Sequence, residues 1–469
     1  MRKFLIGLLC TIPLLGQAQS LEQVIRLAQD STIAAFQSRY EYEYHTRQFA
    51  RFEALRKPQL ELNITPSYMK LITDPTRDYV YLRNFNRFST NAQLMLSQKV
   101  LGLGGDAYVG SQALWSEYFL NDQRDMPREF VTMPLVMGYQ QSLMGYNPYR
   151  WEKAVEEARM ESARKQLNHQ LYLIAEETTR RFFRLACAQG TLDMCERNMQ
   201  TADTLYAIAK EKAGIAMVTL AELRSLELQR LNAYNALQSA RNEEQLARES
   251  LSSYLRTDDF PDGGRLTIPT LTRQIALSDD DILELARSNS PDIQQCQMAL
   301  TEARQQQEKA SREQGAKVGV DLNVGMQQLS SNLVGSIKDP RFYMMGAVTL
   351  SIPIMDHGAA KSGHEAAVAW KERETQALRE VERALDEDVR TTLANLRAHE
   401  QMLAQTTEAV ALADDVFALT AENYANGLCD INTYSLAQNR RDNAYNQYLS
   451  ALAVYWTTYY HLLTLTQYE

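Results

Sequence analysis

Apolar positions along this chain follow two periods, one helical and one extended. From Leu171 through Phe182, Leu192 and Tyr206 to Ala209 they recur in eleven steps over 38 residues, a period close to 3.5. From Leu378 through Val389, Leu396, His399 and Phe417 to Tyr424 they take thirteen steps over 46 residues. A seam of that length predicts coiled-coil packing rather than a globular core. The uninterrupted spans, 149 to 213 and 358 to 426, predict helices of roughly 100 Å at the rise of an α-helix. Gly214 and Gly427 end them, and another apolar-patterned helix begins within a few residues. Each glycine therefore reads as the left-handed residue closing the tip of a helical hairpin.

Period-two alternation marks four strands. Leu60, Leu62 and Ile64 oppose Gln59, Glu61 and Asn63, while Val318, Val320, Leu322 and Val324 oppose Lys317, Gly319, Asp321 and Asn323. Met344, Gly346, Val348, Leu350, Ile352 and Ile354 form a third apolar set. The fourth, Val131, Met133, Leu135, Met137 and Tyr139, has Phe130 and Val136 on its polar side. Such strands suit an outer membrane, but four cannot close a barrel, so spanning requires several chains. Tyr68, Tyr79, Tyr81, Phe85, Phe342 and Tyr343 near the strand ends read either as an interfacial girdle or as loop-core residues.

The pattern also repeats once along the chain. Ser20-Leu21-Glu22-Gln23-Val24-Ile25-Arg26-Leu27-Ala28 aligns with Ser278 to Ala286 at an offset of 258, and Asn232-Ala233-Tyr234-Asn235 recurs as Asn443 to Asn446 at an offset of 211. The falling offset places an insertion in the first half, between about residues 66 and 130. Within it, Leu94 to Val100 and Tyr108 to Tyr118 flank Gly102-Leu103-Gly104-Gly105 and read as an extra hairpin. Both halves start with a helix of about 37 residues, 20 to 56 and 278 to 314, followed by strands and a long hairpin. Residues 19–260 and 278–469 are thus expected to be two repeats, joined by a linker over 261–277 where Pro261, Gly263, Gly264 and Pro269 break the pattern.

Arg2 and Lys3, an apolar run from Phe4 to Leu15, and Gly16-Gln17-Ala18 have the form of a signal peptide spanning residues 1–18. No later apolar run is long enough for a membrane helix. Loss of the leader's two cationic side chains takes the net charge from −9 to −11, which argues against nucleic acid as a partner. Cys187, Cys195, Cys296 and Cys429 have neither zinc-ligand nor redox spacing. On one helix, Cys187 and Cys195 stand roughly 12 Å apart, too far for a disulfide.

No constellation supports bond-making chemistry, so no catalytic, cofactor-binding or metal residue is assigned. Asp356, His357 and His364 flank a strand-to-helix turn, and the glycines at 102–105 precede no Lys-Ser or Lys-Thr pair. The methionines fall at strand spacing and read as ordinary apolar packing.

Taken in order, the opening Leu21 to Ala28, the strand-to-helix element Val348-Thr349-Leu350-Ser351-Ile352-Pro353-Ile354-Met355-Asp356-His357-Gly358 and the paired glycine-tipped hairpins resemble the TolC family of outer-membrane factors. Pro134-Leu135 through Asn147 is similar to the matching element of Bacteroidetes-type members. The resemblance implies a mainly α fold with a small β part: a coiled-coil α-barrel tunnel in the periplasm and a transmembrane β-barrel of twelve strands from a homotrimer. It further implies an export channel in outer-membrane lipid, with tips at Gly214 and Gly427 that engage a periplasmic adaptor joined to an inner-membrane transporter. The alternative is a periplasmic structural coiled coil outside the membrane. Some family members gate the tunnel with carboxylates six and nine residues after the second tip glycine, where this chain has Thr433 and Leu436. Asp430 has two readings, a helix N-cap and a ring of carboxylates at the tunnel entrance.

Overall fold

The computed structural model describes residues 19–71, 85–120, 128–143, 146–214, 219–256, 264–269, 277–426 and 428–468. The chain divides into two compact units, one drawn from Met1–Tyr42, Arg164–Ile293 and Glu380–Glu469, the other from Glu43–Ala163 and Gln294–Arg379. The expected leader lies outside the described residues.

In chain order the elements are β1 (Gln19–Ser20), α1 (Leu21–Ser31), α2 (Ile33–Leu55), β2 (Gln59–Leu71), β3 (Phe85–Val100), β4 (Gly105–Leu120), β5 (Glu129–Ser142), α3 (Pro148–Gly214) and α4 (Leu220–Leu255). They continue as β6 (Leu266–Thr267), α5 (Asp279–Asn289), α6 (Pro291–Glu313), β7 (Lys317–Ser330), α7 (Gly335–Lys338), β8 (Arg341–Ser351), α8 (Ala359–Ala425) and α9 (Ile431–Thr466). Each helix expected over 20–56 and 278–314 is in fact two. Thr32 takes extended backbone between α1 and α2, and its hydroxyl accepts from the Ala35 amide at 3.3 Å. Ser290 does the same for Ile293 at 3.3 Å, just before Pro291. A hydroxyl that caps the next helix and a proline at the first helical position both favour a break there.

In the first unit α1 and α5 open with matching capping boxes, Ser20 with Gln23 and Ser278 with Asp281. The core gathers Leu21, Val24, Phe182, Leu185, Leu251, Leu255, Leu452 and Tyr455 from α1, α3, α4 and α9, joined by Val389 of α8. Part of the expected linker is ordered: β6 pairs in parallel with β1, and the Gln189 side chain bonds the Gly264 carbonyl at 3.0 Å and the Leu266 amide at 3.2 Å.

The second unit holds a six-stranded antiparallel sheet among the described residues, in the order β2-β3-β4-β5-β7-β8. The insertion adds two full strands, β3 and β4, longer than the hairpin the sequence suggests. Register sets one continuous apolar face, since Leu60 lies beside Leu96, Leu96 beside Val109, Val109 beside Met137, Met137 beside Val324 and Val324 beside Met344. Asn63, Asn91, Gln112 and Asn323 share the other face, where Asn91 and Gln112 bond at 3.1 Å. Pro134 falls at a bulge in β5, between Thr132 and Leu135 of the register to β7. An extra residue there accommodates a side chain that removes a ladder donor. Tyr108 lies over Gly138 and Tyr343 over Gly325 on the polar face, so close that a Cβ at Gly138 would stand 2.2 Å from the Tyr108 ring. Tyr343 therefore leaves the expected girdle, and so does Phe85 by strand alternation. Tyr68 and Phe342 keep the apolar side, joined by Phe88, Trp115 and Phe130, with Phe88 and Trp115 edge to face at 5.7 Å. Tyr79 and Tyr81 lie outside the described residues.

Candidate functional site

Two antiparallel helical hairpins carry the sequence-predicted site residues. In the first, Arg184 of α3 pairs with Glu243 of α4 at 3.0 Å and Asp203 with Arg230 at 2.7 Å, partner numbers falling as residue numbers rise. Gly214 is the last helical residue of α3 rather than the left-handed residue expected from the sequence, and Thr219 caps α4 by accepting from the Glu222 amide at 3.2 Å. Gly427, the second tip, lies outside the described residues. Beside it Asp430 is the N-cap of α9, accepting from the Thr433 amide at 2.9 Å and the Thr433 hydroxyl at 2.5 Å. These two bonds hold its carboxyl below the usual range, the hydroxyl contributing most. Thr433 thus completes the cap, and Leu436 is exposed.

The distal ends of both hairpins pack into one cluster. Ala209 of α3, Leu226 of α4, and Ile431 and Tyr434 of α9 are buried together, with Phe417 and Tyr424 of α8 against them. The Tyr434 ring stands 5.4 Å from Phe417 and 5.2 Å from Tyr424, and the Arg441 guanidinium lies 4.2 Å from the Phe417 centroid. Arg441 also reaches Asn198 at 3.1 Å, while Asn198 donates to Asp442 at 2.5 Å. The sequence pattern places Phe417 and Tyr424 on a seam, but nothing in it reveals the arginine stacked on Phe417.

A second polar cluster joins α3, α8 and α9. His461 Nδ1 lies 3.1 Å from Glu176 and its Nε2 3.8 Å from Asp388, with Arg180 at 3.3 Å from Glu176. The hydrogen bond to Glu176 raises the His461 pKa against the effect of burial. Burial alone would raise Glu176, but the bond from His461 and the charges of His461 and Arg180 outweigh it, and its pKa falls. No motif marks this triad, whose members are 212 and 73 residues apart along the chain. Cys187 of α3 is half-buried against α9, and burial pushes its thiol up to about 11, as expected of an inert packing residue.

Among the described residues no group of three or more His, Cys, Asp or Glu side chains stands close enough to hold a metal ion. Asp356 instead caps the start of α8, accepting from the Gly358 and Ala360 amides at 2.9 and 3.0 Å. No described helix is long and apolar enough to cross a membrane. The sheet carries an exposed apolar face that includes Leu60, Leu96, Met137 and Met344.

Residues 282–466 match the family model described as outer membrane efflux protein. The matched stretch runs from α5 to α9, less than half of the chain. The whole chain has the fold of outer-membrane channels. It is similar to the CmeC outer membrane channel of Campylobacter jejuni, with 13% identity, a TM-score of 0.67 and coverage of 95% of this chain and 85% of that one. The outer membrane protein VceC of Vibrio cholerae gives 12%, 0.65, and 95% and 96%. The open-state MtrE outer membrane channel of Neisseria gonorrhoeae gives 15%, 0.64, and 95% and 88%. No curated protein matches the sequence. The matched family is one of outer membrane efflux proteins, not of enzymes.

Proposed function

We propose that the chain is the outer-membrane duct of a tripartite export system. It conducts substrates passively from an inner-membrane transporter, through a periplasmic adaptor, to the exterior. The observation that carries this reading is the six-stranded sheet, apolar on one face and polar on the other, with β2 and β8 as its unpaired edges among the described residues. Open strand edges are not tolerated in lipid, so neighbouring copies must satisfy them. Three copies of six strands give a closed barrel of eighteen, in place of the twelve implied by the family resemblance. Eighteen strands enclose an aqueous lumen, which the face bearing Asn63, Gln112 and Asn323 suits.

The distal cluster of the two hairpins is the adaptor-contact surface in this proposal, with Gly214 and Gly427 at its turns. Residues 19–260 and 278–469 act as the two repeats. Asp430 is exposed at the same end, and three symmetry-related copies would present a ring of carboxylates to entering cations. Native mass measurement in mild detergent tests the assembly: a trimer that requires detergent is expected. A detergent-independent, soluble chain would instead favour the periplasmic coiled-coil reading.

A further inference from the structure

The loop between β7 and β8 has two chemically distinct sides. Its α7 turn is fastened to the sheet through Ser336, which is fully buried and whose carbonyl accepts from the Thr132 hydroxyl. The Gly335 amide bonds Asn332 Oδ1 at 2.6 Å, closing the loop on itself. Leu333, Val334 and Ile337 are nevertheless exposed by 50%, 64% and 56%. Burying a serine while three branched apolar residues stay out is opposite to what water around the loop would select.

The register tells which side of the sheet the turn covers. Thr132 pairs with Ala113, Ala113 with Ala92 and Ala92 with Ile64, so Thr132 belongs to the apolar face. The turn follows the strand end remote from the Ser142 and Lys317 ends that lead to and from the helices, near Phe130 and Phe342 of the aromatic row. Its exposed apolar side chains continue the lipid-facing surface beyond the last sheet residues. Lys338 and Arg341 follow on long stems that can keep their charges at headgroup level.

We propose that the α7 turn is a lipid anchor, with Leu333, Val334 and Ile337 inserted among the acyl chains of the outer leaflet. The inference rests on the outer-membrane reading of the sheet, since its occupant is the same lipid that covers the apolar face. Aromatic belts hold a barrel at the boundary through ring edges. This turn would add an aliphatic foot outside the strand ladder, limiting tilt and vertical movement of each copy.

The test uses the full chain with all five cysteines replaced by alanine, single cysteines introduced one at a time, and a bimane label. Ile337→Cys and Val334→Cys report on the turn, Val348→Cys on the apolar face and Asn323→Cys on the polar face. Each assembled protein is reconstituted in phosphatidylcholine vesicles whose acyl chains carry bromine near the headgroup or near the bilayer centre. The expected result is loss of emission at 337 and 334 with shallow bromine, comparable to the largest loss at 348, and little loss at 323. Loss at 348 without loss at 334 or 337 overturns the anchor. Aqueous iodide would then separate a turn in water, which is quenched, from one covered by a neighbouring copy, which is shielded. Failure at 348 as well would overturn the lipid-facing reading of the sheet, and with it the anchor.

Discussion

At the scale of single residues, the polar chemistry of this chain is positional. Asp430 holds a helix start with a carboxyl whose pKa is depressed in the fold. That contribution is present above the ordinary carboxylate range and is lost as pH falls through the lowered value. Asp430→Asn keeps a capping oxygen and should melt close to the parent at neutral pH, whereas Asp430→Ala should melt lower. In planar bilayers the Asn variant should also lose cation preference; unchanged selectivity would leave Asp430 a cap only. His461 has the opposite sign. Its raised pKa means that its bond to Glu176 stabilises fully below the unfolded histidine value and fades as pH climbs through the folded one. His461→Phe should therefore flatten the decline of melting temperature above about pH 6.5. The effect should be no more than about 1 kcal/mol, because the ring is partly exposed and solvent screens the pair. Asp430 was legible in the sequence because a cap is local. The Glu176, Asp388 and His461 cluster was not, because only the packing of α3 and α8 against α9 brings its members together.

Elements show the same division between local and assembled information. The long seams and period-two strands were readable because a sustained period survives individual exceptions such as His399 or Val136. The strands of the insertion read short: Thr90, Asn91 and Ser89 lower the apolar contrast of β3, and Ser111 does so in β4. The break at Ser290 had a signal in the proline after it, while Thr32 had none beyond its own hydroxyl. Gly190 of α3 was also silent, yet a Cβ there would stand 2.7 Å from Leu449 Cδ1 on α9. Gly190→Val should destabilise the helical unit by roughly 1–3 kcal/mol through overpacking, read as a lower thermal midpoint. A midpoint equal to the parent's would mean that the Leu449 side chain moves aside without cost. At the hairpin tips, a protein carrying both Gly214→Val and Gly427→Val should export poorly while still assembling, because stiff β-branched side chains would crowd the surface proposed to meet the adaptor. Normal export by the double variant would remove the tips from the adaptor contact.

For the whole molecule, the insertion between β2 and β5 would supply six of the eighteen strands of the proposed barrel. Strands alternate in direction, so β2 and β5 remain antiparallel when β3 and β4 are removed. Leu71 and Glu129 lie at the same end of the sheet, so a short loop can join them. Removing an even number of strands also preserves side-chain parity: Leu60 and Met137, now with two strands between them, already share the apolar face. A chain lacking residues 72–128 should therefore still insert and trimerise, with twelve strands instead of eighteen. At a strand spacing of ~4.8 Å and a tilt of ~40°, the barrel radius should fall from about 18 Å to about 12 Å. Electron cryo-microscopy of the two trimers reads that difference directly. An unchanged radius would mean that β3 and β4 do not join the barrel wall, and loss of the trimer would mean that the hairpin supplies contacts between copies rather than circumference.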